Sequence, residues 1–272
     1  VYLALSTQMW PDRSLAEALQ AASETGVRAL DLAATPDVPH VRPLAGREGA
    51  EALKPLLQGW KVVALTADHP DLARAEEEGG AEAVEWTIGA MRCAGILGAR
   101  VVSTSLGRTD IDAWETAWNR AVTALRQVLH ETRRTGVRLA VEIHLDDVLD
   151  SLRKARRLLE AIPDPRLGLT LDTAYLQHLR IQFRDALEVA GDRLYMVHLR
   201  DAAPGDPFRN LGEGRVSFPA TFRALREHGY DGPLSLELLR LPPGEALPPA
   251  LARLREWLDG EPGGPPANAD PE

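Results

Sequence analysis

The run Leu139-Ala140-Val141-Glu142-Ile143-His144 alternates apolar side chains with others at a period of two. In a β-strand, residues two apart share a face. Leu139, Val141 and Ile143 therefore form one apolar face that helices can cover, and Glu142 and His144 share the opposite face. The pattern predicts a buried strand with helices on one side and an enclosed polar space on the other.

Seven similar runs lie along the chain, with starts roughly 25 to 40 residues apart, the size of one strand, one helix and two loops. The eight predicted strands are Leu3–Ser6, Ala29–Leu32, Val62–Leu65, Val101–Thr104, Leu139–Ile143, Leu167–Leu171, Leu194–Val197 and Leu234–Leu238. Amphipathic stretches separate them without a linker, which predicts an α/β fold, a single (β/α)8 barrel over residues 1–259. Residues 260–272 are rich in glycine and proline and lack periodicity, so we expect a disordered tail.

Helix boundaries in the sequence support this alternation. Ser14-Leu15-Ala16-Glu17 has the form of a capping box. A helix is predicted from about residue 113 to 135, closed by Gly136, and another over Phe218–His228, closed by Gly229.

Composition narrows the function classes. The 272 residues carry a formal net charge of -9, and no basic cluster suits a nucleic-acid duplex. No apolar run approaches the roughly 18 residues of a membrane span, and no signal peptide is evident, so a cytoplasmic protein is expected. The single cysteine, Cys93, cannot form an intrachain disulfide and is interpreted as core packing.

The alternation along the strands also places several ionisable side chains on the same face. Asp172, His198 and Glu237 lie, like Glu142, on the inward face near the C-terminal end of a predicted strand, where barrel sites form. Burying three carboxylates without counter-charge is costly, so a divalent cation is predicted. The oxygen-rich set favours Mn²⁺, Mg²⁺ or Co²⁺ and also accommodates Zn²⁺. The alternative is that these groups are paired in the core, for example with Arg200.

A set of motifs occurs in a characteristic order. They are Val141-Glu142-Ile143-His144, Leu171-Asp172-Thr173, Val197-His198-Leu199-Arg200-Asp201, Leu211-Gly212-Glu213-Gly214, Gly229-Tyr230-Asp231-Gly232 and Leu236-Glu237. Together they resemble the xylose isomerase-like barrels, a superfamily of sugar (phosphate) isomerases and epimerases, inosose dehydratases and family 2 apurinic endonucleases such as endonuclease IV. The resemblance implies that Glu142, Asp172, His198 and Glu237 bind one metal ion. It also implies that Glu142 and Glu237 exchange the substrate proton.

Departures from the superfamily pattern narrow the subclass. Tyr175 stands where both the ketose 3-epimerases and endonuclease IV have a histidine, and Val148 stands where the epimerases have a glutamate. The fourth strand offers Ser103 and Ser105 and no histidine. The resemblance therefore implies a mononuclear centre rather than the three zinc ions of endonuclease IV, and the substrate stays open.

Further candidates surround the predicted centre. The residues predicted to contact substrate are Trp10, His69, His144, Tyr175 and Arg200. Ordinary roles compete with these assignments, because Arg200 can balance the acidic cluster, Trp10 can pack in the core and His69 can be a loop histidine. His144 can equally orient a metal ligand.

The sequence thus predicts an isomerase or epimerase of a sugar or sugar derivative, working by proton abstraction next to a carbonyl through a metal-stabilised enediolate. A dehydratase-type lyase, an abasic-site nuclease and a non-catalytic sugar-binding barrel are the alternatives. The expected partner is a small carbohydrate, with no nucleic acid and no membrane. Barrels of this superfamily often pair, which leaves a homo-oligomer open.

Overall fold

A computed structural model describes residues 1–74, 80–109 and 111–259. Eight parallel strands close into a barrel in the order β1-β10-β7-β6-β5-β4-β3-β2. Their bounds are β1 Tyr2–Ser6, β2 Ala29–Ala33, β3 Lys61–Thr66, β4 Val101–Thr104, β5 Arg138–Glu142, β6 Leu167–Asp172, β7 Leu194–Leu199 and β10 Pro233–Leu236. A short antiparallel hairpin, β8 Asp201–Ala203 and β9 Asp206–Arg209, follows β7. The predicted (β/α)8 barrel is therefore confirmed, and the predicted tail, 260–272, lies outside the described residues.

Helices pack around the strands. They are α1 Leu15–Ser23, α2 Gly46–Leu53, α3 Gly80–Leu97, α4 Trp114–Glu131, α5 Leu152–Ala161, α6 Thr173–His178, α7 Phe183–Ala190, α8 Phe218–His228 and α9 Pro243–Asp259. The capping box at Ser14 and Glu17 and the end of α8 at Gly229 are as predicted. Cys93 is buried in α3, in agreement with a packing role. In the part of the chain that is described, no helix is long and apolar enough to cross a membrane.

Small side chains fill the lower interior of the barrel. Ala4, Ala64 and Ala140 form an inner apolar cluster with Met196 and Tyr195, separate from the larger core between strands and helices. Because these inner residues are small, the polar layer above them can lie close to the barrel axis. The barrel is therefore a packed scaffold with its chemistry at one end.

Three local features differ from the sequence prediction. Helix α4 ends at Glu131 instead of residue 135, and the Thr132 hydroxyl there donates to the Val128 carbonyl. A period of two along the seventh strand, with His198 inward, predicts that Tyr195 lies on the outer face. The register between β6 and β7 shifts after Leu169, and Tyr195 packs with the inner cluster. The eighth barrel strand stops at Leu236, although the Glu237 amide still donates to the Leu199 carbonyl.

Substituting Gly168 tests this packing. A Cβ at Gly168 would clash with the Arg193 carbonyl oxygen and with the Tyr195 ring. Gly168→Ala is expected to lower the free energy of unfolding by about 2 to 4 kcal/mol, measured by urea denaturation. Gly244→Ala is the control, because a Cβ there meets no atom of the described residues within 4 Å. Equal stabilities of the two variants would contradict the packing described.

Candidate metal centre

The four predicted ligands lie together at the C-terminal mouth of the barrel. Glu142 and Asp172 end β5 and β6, His198 is the penultimate residue of β7, and Glu237 directly follows β10. None of the four is more than 4% exposed. The alternation of side-chain direction along each strand, which predicted that the four residues share a face, therefore also accounts for where they lie.

His198 lies at the middle of this cluster. Its Nδ1 is 2.7 Å from Glu142 Oε1 and 4.0 Å from Glu237 Oε2. Ligand atoms of Glu142, Asp172 and His198 all lie within 4.8 Å of one another, as do those of Asp31, His198 and Glu237. One cation could thus be reached by nitrogen and carboxylate oxygens together.

Fixed donors orient Glu237. Ser6 Oγ and Gln8 Nε2 donate to its Oε1 over 3.2 and 3.0 Å. Both donors come from the end of β1 and the turn after it, adjacent to β10 in the barrel. Oε2 is thereby left on the side of His198 and Arg200, at 4.0 and 3.8 Å.

Asp172 is held from two sides. Its Oδ1 accepts the Tyr175 amide at 2.8 Å and so caps α6, and its Oδ2 is 3.3 Å from Arg200 Nη1. The Arg200 guanidinium is buried beneath the rings of Tyr175 and Phe208, at 4.6 and 5.3 Å from their centroids. This placement favours charge balance within the acidic cluster over contact with a substrate phosphate or carboxylate.

The charge of the cluster fits a cation. Four buried carboxylates, those of Asp31, Glu142, Asp172 and Glu237, face one arginine and one histidine. Burial, with a further contribution from neighbouring carboxylates, raises the pKa of Glu142 to about 7. Burial alone would lower the pKa of His198, but nearby carboxylates outweigh it and raise that pKa well above its usual range. A bound divalent ion would relieve this excess negative charge.

A pocket of about 800 Å³ opens above the cluster. His144 and Tyr175 line it with their rings 4.1 Å apart. His144 Nδ1 lies 2.7 Å from the Leu145 carbonyl, to which it donates, so its Nε2 can accept a hydrogen bond from a ligand. The structure thus brings His144 and Tyr175, two of the predicted substrate contacts, to one wall of this pocket.

Asp68 is a lining residue of this pocket that the sequence analysis did not single out. It follows β3, and its Oδ1 is buried with no hydrogen-bond partner among the described residues. Burial raises the pKa of Asp68 to about 7, and Glu142 and Glu237 add to the rise. The sequence shows a carboxylate two residues after β3, at the end of the barrel where sites form. Side chains in a loop do not alternate between two faces, so the sequence did not show which way this carboxylate points.

A family model for the xylose isomerase-like TIM barrel matches residues 19–258. The chain belongs to the xylose isomerase-like TIM barrel family. Among curated relatives, a ketose 3-epimerase of Arthrobacter globiformis is 31% identical over 158 residues, covering 54% of this chain and 51% of that protein. The chain thus spans about half the length of the curated relatives it matches.

Solved structures share the fold of this xylose isomerase-like barrel. A D-tagatose 3-epimerase-like protein superposes with a TM-score of 0.80 at 19% identity, covering 95% of this chain and 97% of that one. The IOLI protein with a binding zinc atom gives a TM-score of 0.76 at 17% identity, covering 94% of this chain and 96% of that one. At these identities the likeness establishes the fold.

Two predicted substrate contacts of this xylose isomerase-like barrel lie elsewhere. Trp10 is buried in the apolar core and lines a separate cavity beside α1 and α9. His69 turns towards Trp86 on α3, with ring centroids 6.0 Å apart. The apolar ring of Trp10 is better accommodated in the core than beside the carboxylates. In the loop after β3, Asp68 lines the pocket and His69 does not.

Replacing the unpaired carboxylate of Asp68 should stabilise the metal-free protein. The pKa of Asp68 is about 7 in the folded protein and about 4 in an unfolded chain. The stability that its protonated form contributes is therefore present below about pH 4 and lost as the pH rises through about 7.

Asp68→Asn should accordingly match the parent protein near pH 4 and exceed its free energy of unfolding by on the order of 1 to 3 kcal/mol at pH 8. Urea titrations at both pH values measure this difference. Asp12→Asn, at an exposed position, is the control for the loss of one carboxylate and is measured at the same two pH values. No gain at pH 8 would contradict the unpaired burial of Asp68.

Proposed function

We propose that this chain is a metal-dependent sugar epimerase that inverts a carbon next to the carbonyl of a ketose. One observation carries the proposal: the carboxylates of Glu142 and Glu237, from β5 and the end of β10, both face His198 Nδ1 beneath one pocket. Two carboxylates on different sides of one space are what removal and return of a proton requires. The epimerase names of the relatives agree with it.

The metal would be held by Glu142, Asp172, His198 and Glu237. A bound divalent cation would supply positive charge to offset the negative charge that develops as a proton leaves the carbon next to a carbonyl. The predominance of oxygen ligands favours Mn²⁺, Mg²⁺ or Co²⁺, and Zn²⁺ is also accommodated. The buried excess of carboxylates supports this assignment independently of the relatives.

The two glutamates divide the proton transfer. One carboxylate accepts the proton from the carbon, and the C–H electron pair moves into the enediolate of the sugar. The other glutamate, as a carboxylic acid, donates a proton to the opposite face of the same carbon, which inverts it. Ser6 and Gln8 hold Glu237 for this step.

Substrate recognition falls to the residues around the pocket. His144 Nε2 and the Tyr175 hydroxyl would contact sugar hydroxyls, and the Asp68 carboxylate would accept a hydrogen bond from another. Arg200 would act through Asp172 and Glu237, to which it is paired, instead of touching the sugar. Trp10 and His69 are not among the proposed contacts, because Trp10 lies in the apolar core and His69 packs near Trp86.

Hydrogen exchange with solvent tests the proposal. The protein supplied with Mn²⁺ is incubated with a panel of free and phosphorylated ketoses in D₂O, and deuterium uptake and epimer formation are followed by NMR. Glu142→Gln and Glu237→Gln are each expected to lower turnover by about 10²- to 10⁴-fold, because each removes a proton-transfer group. Glu160→Gln, at an exposed position of α5, is the control and should retain full turnover.

Other outcomes would assign a different function. Release of water from a ketose would indicate a dehydratase, and sugar binding without any deuterium uptake would indicate a binding barrel. Nicking of an abasic-site duplex with about three zinc ions per chain would indicate a nuclease. Each result would overturn the epimerase proposal.

A further inference from the structure

The fourth carboxylate of the cluster lies on the other side of His198. Asp31, in the middle of β2, is fully buried, and its Oδ2 is 3.7 Å from His198 Nε2. We propose that Asp31 is a positioning residue that accepts the Nε2 proton of His198 and so keeps Nδ1 turned towards Glu142, Asp172 and Glu237. The inference rests on the proposed metal centre, but it does not depend on which sugar is bound.

The position of Asp31 is fixed by its neighbours. Thr66 Oγ1 donates to its two oxygens over 3.0 and 2.9 Å, and Ser235 Oγ donates to Oδ2 over 2.9 Å. These hydroxyls come from β3 and β10, so the carboxylate is held from separate strands. A carboxylate held by two donors is a fixed acceptor and not a side chain that swings to meet a ligand.

His198 requires an acceptor on this side. Its Nδ1 already faces Glu142 at 2.7 Å, and its Nε2 is buried with no hydrogen-bond partner in the described part of the chain. An imidazole that gives the Nδ1 lone pair to a cation carries its proton on Nε2. Asp31 is the carboxylate beside Nε2, and an approach of about 0.5 Å would bring the 3.7 Å between Nε2 and Oδ2 into hydrogen-bond range.

Packing does not account for an aspartate here. Ala29 and Ala33, two residues to either side in β2, share its face and are apolar and buried. The barrel therefore has an acidic group in a position where its own strand otherwise carries alanine. Pairing of a ligating histidine with a carboxylate is a general way to fix the ring and raise its basicity.

Metal affinity without any sugar tests the inference. Dissociation constants for Mn²⁺ and Zn²⁺ are measured by competition with a chromophoric chelator at one fixed pH. Asp31→Asn is expected to weaken binding by about 10- to 100-fold, because the amide keeps the shape but loses the charge. The matched control is Asp147→Asn, a buried carboxylate that instead accepts the amides of Gly107 and Leu149, and its affinity should be unchanged.

A spectroscopic measurement on the parent protein tests the inference even if Asp31→Asn folds poorly. In the zinc-loaded parent protein labelled with ¹⁵N-histidine, His198 should show a metal-bound Nδ1 and a protonated Nε2 protected from exchange. In Asp31→Asn that proton should exchange faster. Zinc on Nε2, with Asp31 acting as a ligand, would overturn the inference even if the affinity falls.

The outcomes separate the inference from the proposed function. Failure of the parent protein to bind either ion would overturn the metal centre and the role of Asp31 with it. Tight binding by the parent and equal binding by Asp31→Asn would overturn the role of Asp31 alone. In both cases the D₂O exchange assay still reports on epimerisation by itself.

Discussion

Charge buried at the barrel mouth is the constraint around which the rest of this structure is arranged. Carboxylates on β2, β5, β6 and at the end of β10 surround the ring of His198, with Arg200 as the other cation among them. A closed barrel cannot splay its strands to let such groups separate. Like charges therefore stay together, and the protein must offset them with donors, with cations or with a bound ion.

The two oxygens of Glu237, and likewise those of Asp172, have different partners. For Glu237, one oxygen is held by Ser6 and Gln8, and the other is left towards His198. For Asp172, one oxygen caps α6 through the Tyr175 amide, and the other meets Arg200. Orientation is thus set before any ligand arrives, which is the condition for a preorganised site.

Strand parity explains how much of this the sequence predicted. It worked for β5 and β6, where apolar and polar positions alternate without interruption, and it placed Glu142 and Asp172 correctly on the inner face. It failed at Tyr195, because a register shift beside Leu169 breaks the period of two. The same rule applied to β2 would have drawn attention to Asp31, an isolated acid among alanines and leucines.

The direction of side chains in loops could not be predicted from this alternation. A period of two ends where the strand ends, so it gave no direction for Asp68 and His69 after β3. Their surroundings are decided by contacts distant in sequence, such as that of His69 with Trp86. The unpaired Oδ1 of Asp68 likewise emerges only from the folded arrangement.

The pocket and the charge cluster are built from different kinds of segment. The proposed ligands lie on strands or directly after them, whereas the walls come largely from loops, with Thr35 after β2, Asp71 after β3 and Arg108 after β4. Exchanging one of these three wall segments therefore leaves the proposed ligands on their strands. A barrel built this way can acquire a new substrate preference by loop grafting, without having to rebuild its reactive centre.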